Sequence, residues 1–121
     1  MTTLFEMVGE DGVRRFVAGF YRRVAEDDIL APMYPEADME GAEHRLREFL
    51  IFRIGGPRRY LAERGHPRLR MRHAPFPIDL AARDRWLEHM GAALDEEALP
   101  EEADAWFRAF FQHAADAMVN R

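Results

Sequence analysis

Apolar residues recur along most of this chain at intervals of three and four, the spacing that gathers them on one stripe of a helix. Thr3, with Glu6 three residues on, has capping-box spacing before a short apolar turn. Asp11 then predicts the cap of a helix running to about Glu26, with Val13, Phe16, Val17, Phe20, Tyr21 and Val24 facing inward. A link from Asp27 to Pro35 contains two prolines and ends in Met-Tyr-Pro. Asp38 opens the next helix, whose inward stripe includes Ala42, Leu46, Phe49, Leu50 and Ile54. Gly55-Gly56-Pro57 stops it, because glycine supplies a left-handed cap and proline cannot continue the ladder.

From Pro57 to about Ile78 the helical period disappears. Four prolines and Gly65 interrupt this segment, which predicts at most a turn or two of helix near Leu69–His73. Asp79 caps a further helix carrying Leu80, Arg83, Trp86, Leu87, Met90 and Leu94 on one side. Pro100, followed by Glu101 and Glu102, starts the last helix, with Ala103, Trp106, Phe107, Phe110, Phe111, Ala114 and Met118 as its stripe. No stretch alternates with period two and no internal repeat is present, so the fold class is all-α.

The irregular stretch carries information of its own. About 20 residues without regular structure are uncommon in a compact domain and usually functional or disordered. Tyr60, Leu69, Met71, Phe76 and Ile78 are spaced through it, which argues against disorder. Residues 58–72 also hold six arginines (58, 59, 64, 68, 70 and 72) against one acid, Glu63, a local balance of +5 in a chain of formal charge −5. A large apolar cofactor with acidic edges would satisfy both the hydrophobes and the arginines.

Composition narrows the chemistry. The 121 residues, 48% of them apolar, suit one globular domain spanning 1–121. No apolar run approaches the roughly 20 residues of a bilayer span. The first residues lack a basic region followed by an apolar run, so no signal peptide is expected and the default location is cytoplasmic. The acidic balance argues against a generic nucleic-acid binder. Cysteine is absent, which excludes disulfides, thiolate zinc sites, iron–sulfur clusters, thiolate-ligated haem and the C-x-x-C-H attachment of haem. Any metal must be held by His, Tyr, Met or carboxylates.

Four stretches together resemble the group II truncated haemoglobins. They are Phe-Tyr-Arg-Arg-Val-Ala-Glu-Asp at 20–27; Met-Tyr-Pro-Glu at 33–36 with Gly-Ala-Glu-His-Arg-Leu-Arg at 41–47; Gly-Gly-Pro-Arg-Arg-Tyr at 55–60 with Arg-Gly-His-Pro-Arg-Leu-Arg-Met-Arg-His-Ala-Pro-Phe at 64–76; and Arg-Asp-Arg-Trp-Leu at 83–87. The resemblance spans roughly residues 4–95, the last helix matching only in pattern. It implies a truncated globin, a two-over-two helical sandwich around haem b (iron protoporphyrin IX).

The resemblance implies roles residue by residue. His73 matches the proximal ligand to the iron; read alone it would be a surface histidine beside arginines. The other histidines have no such context: His44, His89 and His113 read as exposed helix residues and His66 as a loop hydrogen-bonder. Tyr21, Tyr34 and Trp86 match distal polar residues, whose phenol and indole donors would stabilise the partial negative charge of oxygen held at ferrous haem. Ala42 falls where many globins place a distal histidine. Leu46, Phe49, Phe76, Ile78 and Met90 are candidate apolar walls or plain core. Arg45, Arg70 and Arg72 suit forked pairing with haem propionates, while a solvated basic face or a docking surface for an acidic reductase accounts for them equally. Two positions depart from the family: Arg53-Ile54 replaces an aromatic pair before the glycines, and Gly9-Glu10 stands where many relatives have two glycines.

The leading functional reading is tight, reversible oxygen binding, with nitric oxide or carbon monoxide as further diatomic ligands and a homo-oligomer as an open state. The alternative is a haem redox enzyme, oxidising nitric oxide or turning over peroxide with electrons from an external reductase, since no dinucleotide-binding G-x-G-x-x-G is present. A cofactor-free helical interaction module is a third reading. A carboxylate di-iron bundle fails because its one Glu-x-x-His match, Glu63 to His66, is spoiled by glycine and proline.

Overall fold

Thr3 caps the first helix as its spacing predicts, its Oγ1 accepting the Glu6 N–H at 3.1 Å. The computed structural model describes residues 2–34 and 38–121, and helix α1 runs Leu4–Val24. The break expected between a short first turn and a longer helix lies at Gly9, whose φ of 71° and ψ of 167° kink the element. Asp11 does not cap the second part; it pairs with Arg14 at 2.9 Å. Past the kink, Val13, Phe16, Val17, Phe20, Tyr21 and Val24 are all buried.

A 3₁₀ turn, Ala31–Met33, follows. Helix α2 is Met39–Arg53, with Asp38 before it. The Asp38 carboxylate turns to Arg45 at 2.7 Å instead of capping the helix. The glycine stop forms a Schellman motif: Gly56 N–H donates to the Ile51 carbonyl at 2.9 Å and Gly55 N–H to that of Phe52 at 3.1 Å, with Gly55 at φ 101°. Gly56 is also a close approach, since a Cβ there would sit 2.6 Å from the Phe5 ring.

The stretch after Pro57 is more helical than its sequence pattern. Helix α3, Arg59–Arg64, was not expected, whereas α4, Leu69–His73, falls where a turn or two was read. Only Tyr60 of α3 is buried, edge-on to Phe49 with ring centroids 5.4 Å apart, so no stripe exists for periodicity to detect. Asp79 caps α5, Leu80–Glu97, accepting the Ala82 N–H at 2.8 Å. Leu80, assigned to the inward stripe, is 55% exposed, because α5 enters the core only from Ala82 onward. Helix α6, Glu101–Met118, begins after Pro100 as expected.

Helix α1 packs on α2 and α5, α5 packs on α6, and α4 touches α6. The centre of the core is aromatic: Phe16 meets Phe107 edge-on at 5.0 Å, and Phe16, Phe20 and Phe107 are fully buried. Each such ring contributes about 1.5–3 kcal/mol by leaving water. No helix among the described residues is long and apolar enough to cross a membrane.

Candidate functional site

Between the helices the structure leaves a cavity of about 510 Å³, of the size that takes a cofactor or a sizeable small molecule. Its wall draws on every helix, from Tyr21 of α1 to Met118 of α6. Helix α4 gives it Leu69, Arg72 and His73, residues i, i+3 and i+4 of one face. The His73 Nδ1 lies 2.7 Å from the Leu69 carbonyl. A carbonyl can only accept, so Nδ1 carries a proton, and in the neutral imidazole it is then Nε2 that keeps a lone pair. Among the described residues Nε2 has no protein partner, and no group of three His, Cys, Asp or Glu side chains is placed to hold a metal. The site could therefore hold a metal through a single imidazole and not through a chelate.

The polar aromatics meet at the same cavity. Tyr21 lies edge-on to Tyr34 with ring centroids 5.7 Å apart. Trp86 is wedged between Phe20 at 4.8 Å and Phe111 at 5.4 Å. Burial raises the pKa of both phenols; at Tyr34 this is opposed by hydrogen-bonding approaches from Tyr21 and from the Trp86 indole. Both phenols stay protonated at neutral pH. Ala42 contributes only a methyl group to this wall.

The chain's likenesses agree with this geometry. The bacterial-like globin family model matches residues 3–120. A group 2 truncated haemoglobin of Bacillus subtilis is 37% identical over 97% of this chain and 88% of its own. The crystal structure of the haemoglobin of Chloroflexus aurantiacus superposes with a TM-score of 0.96 at 51% identity, covering all of both chains. The truncated oxygen-avid haemoglobin of Bacillus subtilis gives 0.92 at 36% identity, covering 98% of this chain and 99% of that one. This chain is a group 2 truncated haemoglobin, a member of the bacterial-like globin family.

A truncated haemoglobin carries haem, and the residues present fit it. The wall is largely aromatic and aliphatic, one imidazole nitrogen lacks a partner, and one guanidinium has a buried N–H without an acceptor. That guanidinium is Arg72: its Nη2 donates to the Arg64 carbonyl at 2.9 Å, but its buried Nε has no acceptor. Buried donors are almost always satisfied, so an acceptor, such as the acidic edge of a haem, would fit there. Arg45 also lines the cavity but already holds Asp38 at 2.7 Å, and that hydrogen bond lowers the Asp38 pKa.

Most of the sequence-assigned residues converge. His73, Tyr21, Tyr34, Ala42, Arg45, Leu46, Phe49, Arg72, Phe76, Ile78 and Trp86 all line the cavity. Arg70 and Met90 do not. On the short α4 helix Arg70 points about 100° away from Leu69, out to a surface groove. Met90 lies one turn beyond Trp86 and is 1% exposed in the core. Sequence reading missed Tyr60, Arg64 and the α6 wall of Phe110, Phe111, Ala114, Ala115 and Met118. The run of aromatic residues on α6 was the available signal, but it reads equally as core.

His89 was assigned to an exposed face and is corrected: its side chain is 19% exposed and its Nε2 lies 2.6 Å from Asp27. Asp27 also accepts the Ile29 and Leu30 N–H groups, each at 2.8 Å, and Arg85 at 3.1 Å. Desolvation pushes this carboxyl up, but the hydrogen bonds from His89, Leu30, Ile29 and Arg85 outweigh it and hold it well below the usual range. The cluster ties the turn before Tyr34 to the helix that carries Trp86. His66, by contrast, is the loop hydrogen-bonder expected, accepting the Arg68 N–H at 3.2 Å.

Proposed function

We propose that this truncated haemoglobin holds haem b through the Nε2 of His73 and binds oxygen tightly in a distal pocket formed by Tyr21, Tyr34 and Trp86. The observation that carries the reading is the Nδ1–H bond to Leu69, which fixes the tautomer and leaves a lone pair for iron. The group supplies reversible ligation of a diatomic gas at ferrous iron. Arg72 is the residue best placed to hold its acidic edge, with Arg45 and Arg64 nearby on the wall. Tyr21, Tyr34 and Trp86 line the same cavity, so two phenol O–H groups and one indole N–H are the donors available to a bound ligand. A ligand carrying partial negative charge gains from each such donor. Tight binding is supported by the likeness to the Bacillus subtilis protein described as oxygen-avid. Oxygen binding needs ferrous iron, and with no dinucleotide motif in the chain an external reductase supplies the electron.

Purified protein is expected to be red, with a strong Soret band. His73→Ala should lose or sharply weaken haem retention and melt at lower temperature. A His73→Ala protein with full haem content and an unchanged ferrous spectrum would refute the assignment.

A further inference from the structure

A second concavity, of about 380 Å³, lies on the surface outside the main cavity. Phe49, Leu69, Phe110, Ala114 and Met118 line both, so the two share a wall one layer of side chains thick. Its charged and titratable rim is entirely cationic or imidazole: Arg53, Arg68 and Arg70 with His66 and His113, and no carboxylate among the described residues. That composition is not the average of a chain with formal charge −5. On α1, by contrast, Arg14, Arg15, Arg22 and Arg23 each hold a carboxylate. Arg53, Arg68 and Arg70 make no ion pair among the described residues. Arg53, one of the two positions that depart from the family pattern, lies over the Trp106 and Phe110 rings at 5.3 and 5.4 Å. Stacking of this kind holds the planar fork in place before any partner arrives.

We propose that this groove is the docking face for an acidic electron-carrier protein. Its apolar floor inside an arginine rim is the anatomy of a protein interface. The arginines come from three places, α2, the loop before α4 and α4 itself, with His113 of α6 beside them, an arrangement that suits a partner presenting several carboxylates. The shared wall explains why the carrier would dock there: it brings a donor close to the cavity from outside. One electron passes from the carrier's reduced flavin to ferric iron, and no atom is transferred. The inference rests on the reading that the main cavity holds haem.

Flavodoxin, an acidic one-electron flavoprotein, serves as the probe. Its oxidised form is titrated against the ferric protein by calorimetry at about 20 and 200 mM salt, where screening differs strongly. The reduced form is mixed with the ferric protein under carbon monoxide to time reduction. Arg53→Glu with Arg70→Glu should weaken binding and slow reduction by about tenfold, and high salt should do the same to the wild type. Arg14→Glu should change neither, and reduction by dithionite should be equal in all variants. Undetectable wild-type binding, binding indifferent to salt, or equal losses in Arg14→Glu overturn the proposal. A missing Soret band would instead refute the haem reading, while the calorimetric titration would still report on the groove.

Discussion

Arg72 and Arg70 are two residues apart on one short helix, yet the fold gives them opposite surroundings. Arg72 has a buried Nε without an acceptor, whereas Arg70 is exposed on the outer groove. If a propionate completes Arg72, Arg72→Ala should speed haem loss to an apo-globin acceptor by roughly 10- to 150-fold, the worth of a charged hydrogen bond. Arg70→Ala should leave the rate near wild type, and equal rates in both variants would remove Arg72 from the propionate site. The same logic separates the polar aromatics. Trp86 is locked between Phe20 and Phe111, so the direction of its N–H is set by packing, while a phenol proton can rotate. Trp86→Phe should therefore accelerate oxygen release more than Tyr21→Phe, by roughly 5- to 30-fold for a hydrogen bond worth 1–2 kcal/mol. Carbon monoxide, with less negative charge, should respond less. Stopped-flow release of both gases decides it: equal acceleration would mean that Trp86 acts as a steric gate and not as a donor.

At the scale of elements, the arrangement of the site depends on how the turn after α1 is held against α5. Asp27 does this with four acceptor contacts from groups on both. Its side chain is 2% exposed, but the groups that cover it are themselves near the surface, so it is covered rather than deep. Asp27→Asn should cost about 2–3 kcal/mol at neutral pH, the worth of charge-assisted hydrogen bonds lost by a shielded carboxylate. Because the folded state holds the Asp27 pKa low, its stabilisation is fully present above the unfolded pKa of about 4 and is lost as pH falls toward the folded value. Thermal melts of wild type and Asp27→Asn should thus lie furthest apart near pH 7 and draw together below about pH 4. A gap that widened on acidification would contradict the geometry. The helix ends were legible because their chemistry is local: the Thr3 and Asp79 caps and the Gly55-Gly56 stop each complete bonds within a few residues. Helix α3 was not legible, since a six-residue helix with one buried side chain has no period.

Over the whole molecule the dominant feature is a cavity that no helix pair closes. The segment Arg59–His73 rests on little else than α2, α6 and the cavity edge. Removing haem should therefore lower the melting temperature by roughly 10–20 °C, as expected for loss of a ligand contributing about 4 kcal/mol by mass action. Hydrogen exchange should quicken first in Arg59–His73, and uniform loss of protection across all helices would show that the cofactor orders the entire fold. The sequence by itself determined the helical class, most helix ends, the family and the histidine facing the cavity, because periodicity, caps and motif spacing are properties of neighbouring residues. It also flagged an irregular, arginine-rich stretch that needs something besides a helix to pack on. Only the tertiary structure decided which arginine faces inward, that Met90 belongs to the core, that α6 walls the cavity, and that His89 is held by Asp27. Those outcomes depend on which faces meet across 62 residues, as from Asp27 to His89, and no local pattern encodes that meeting.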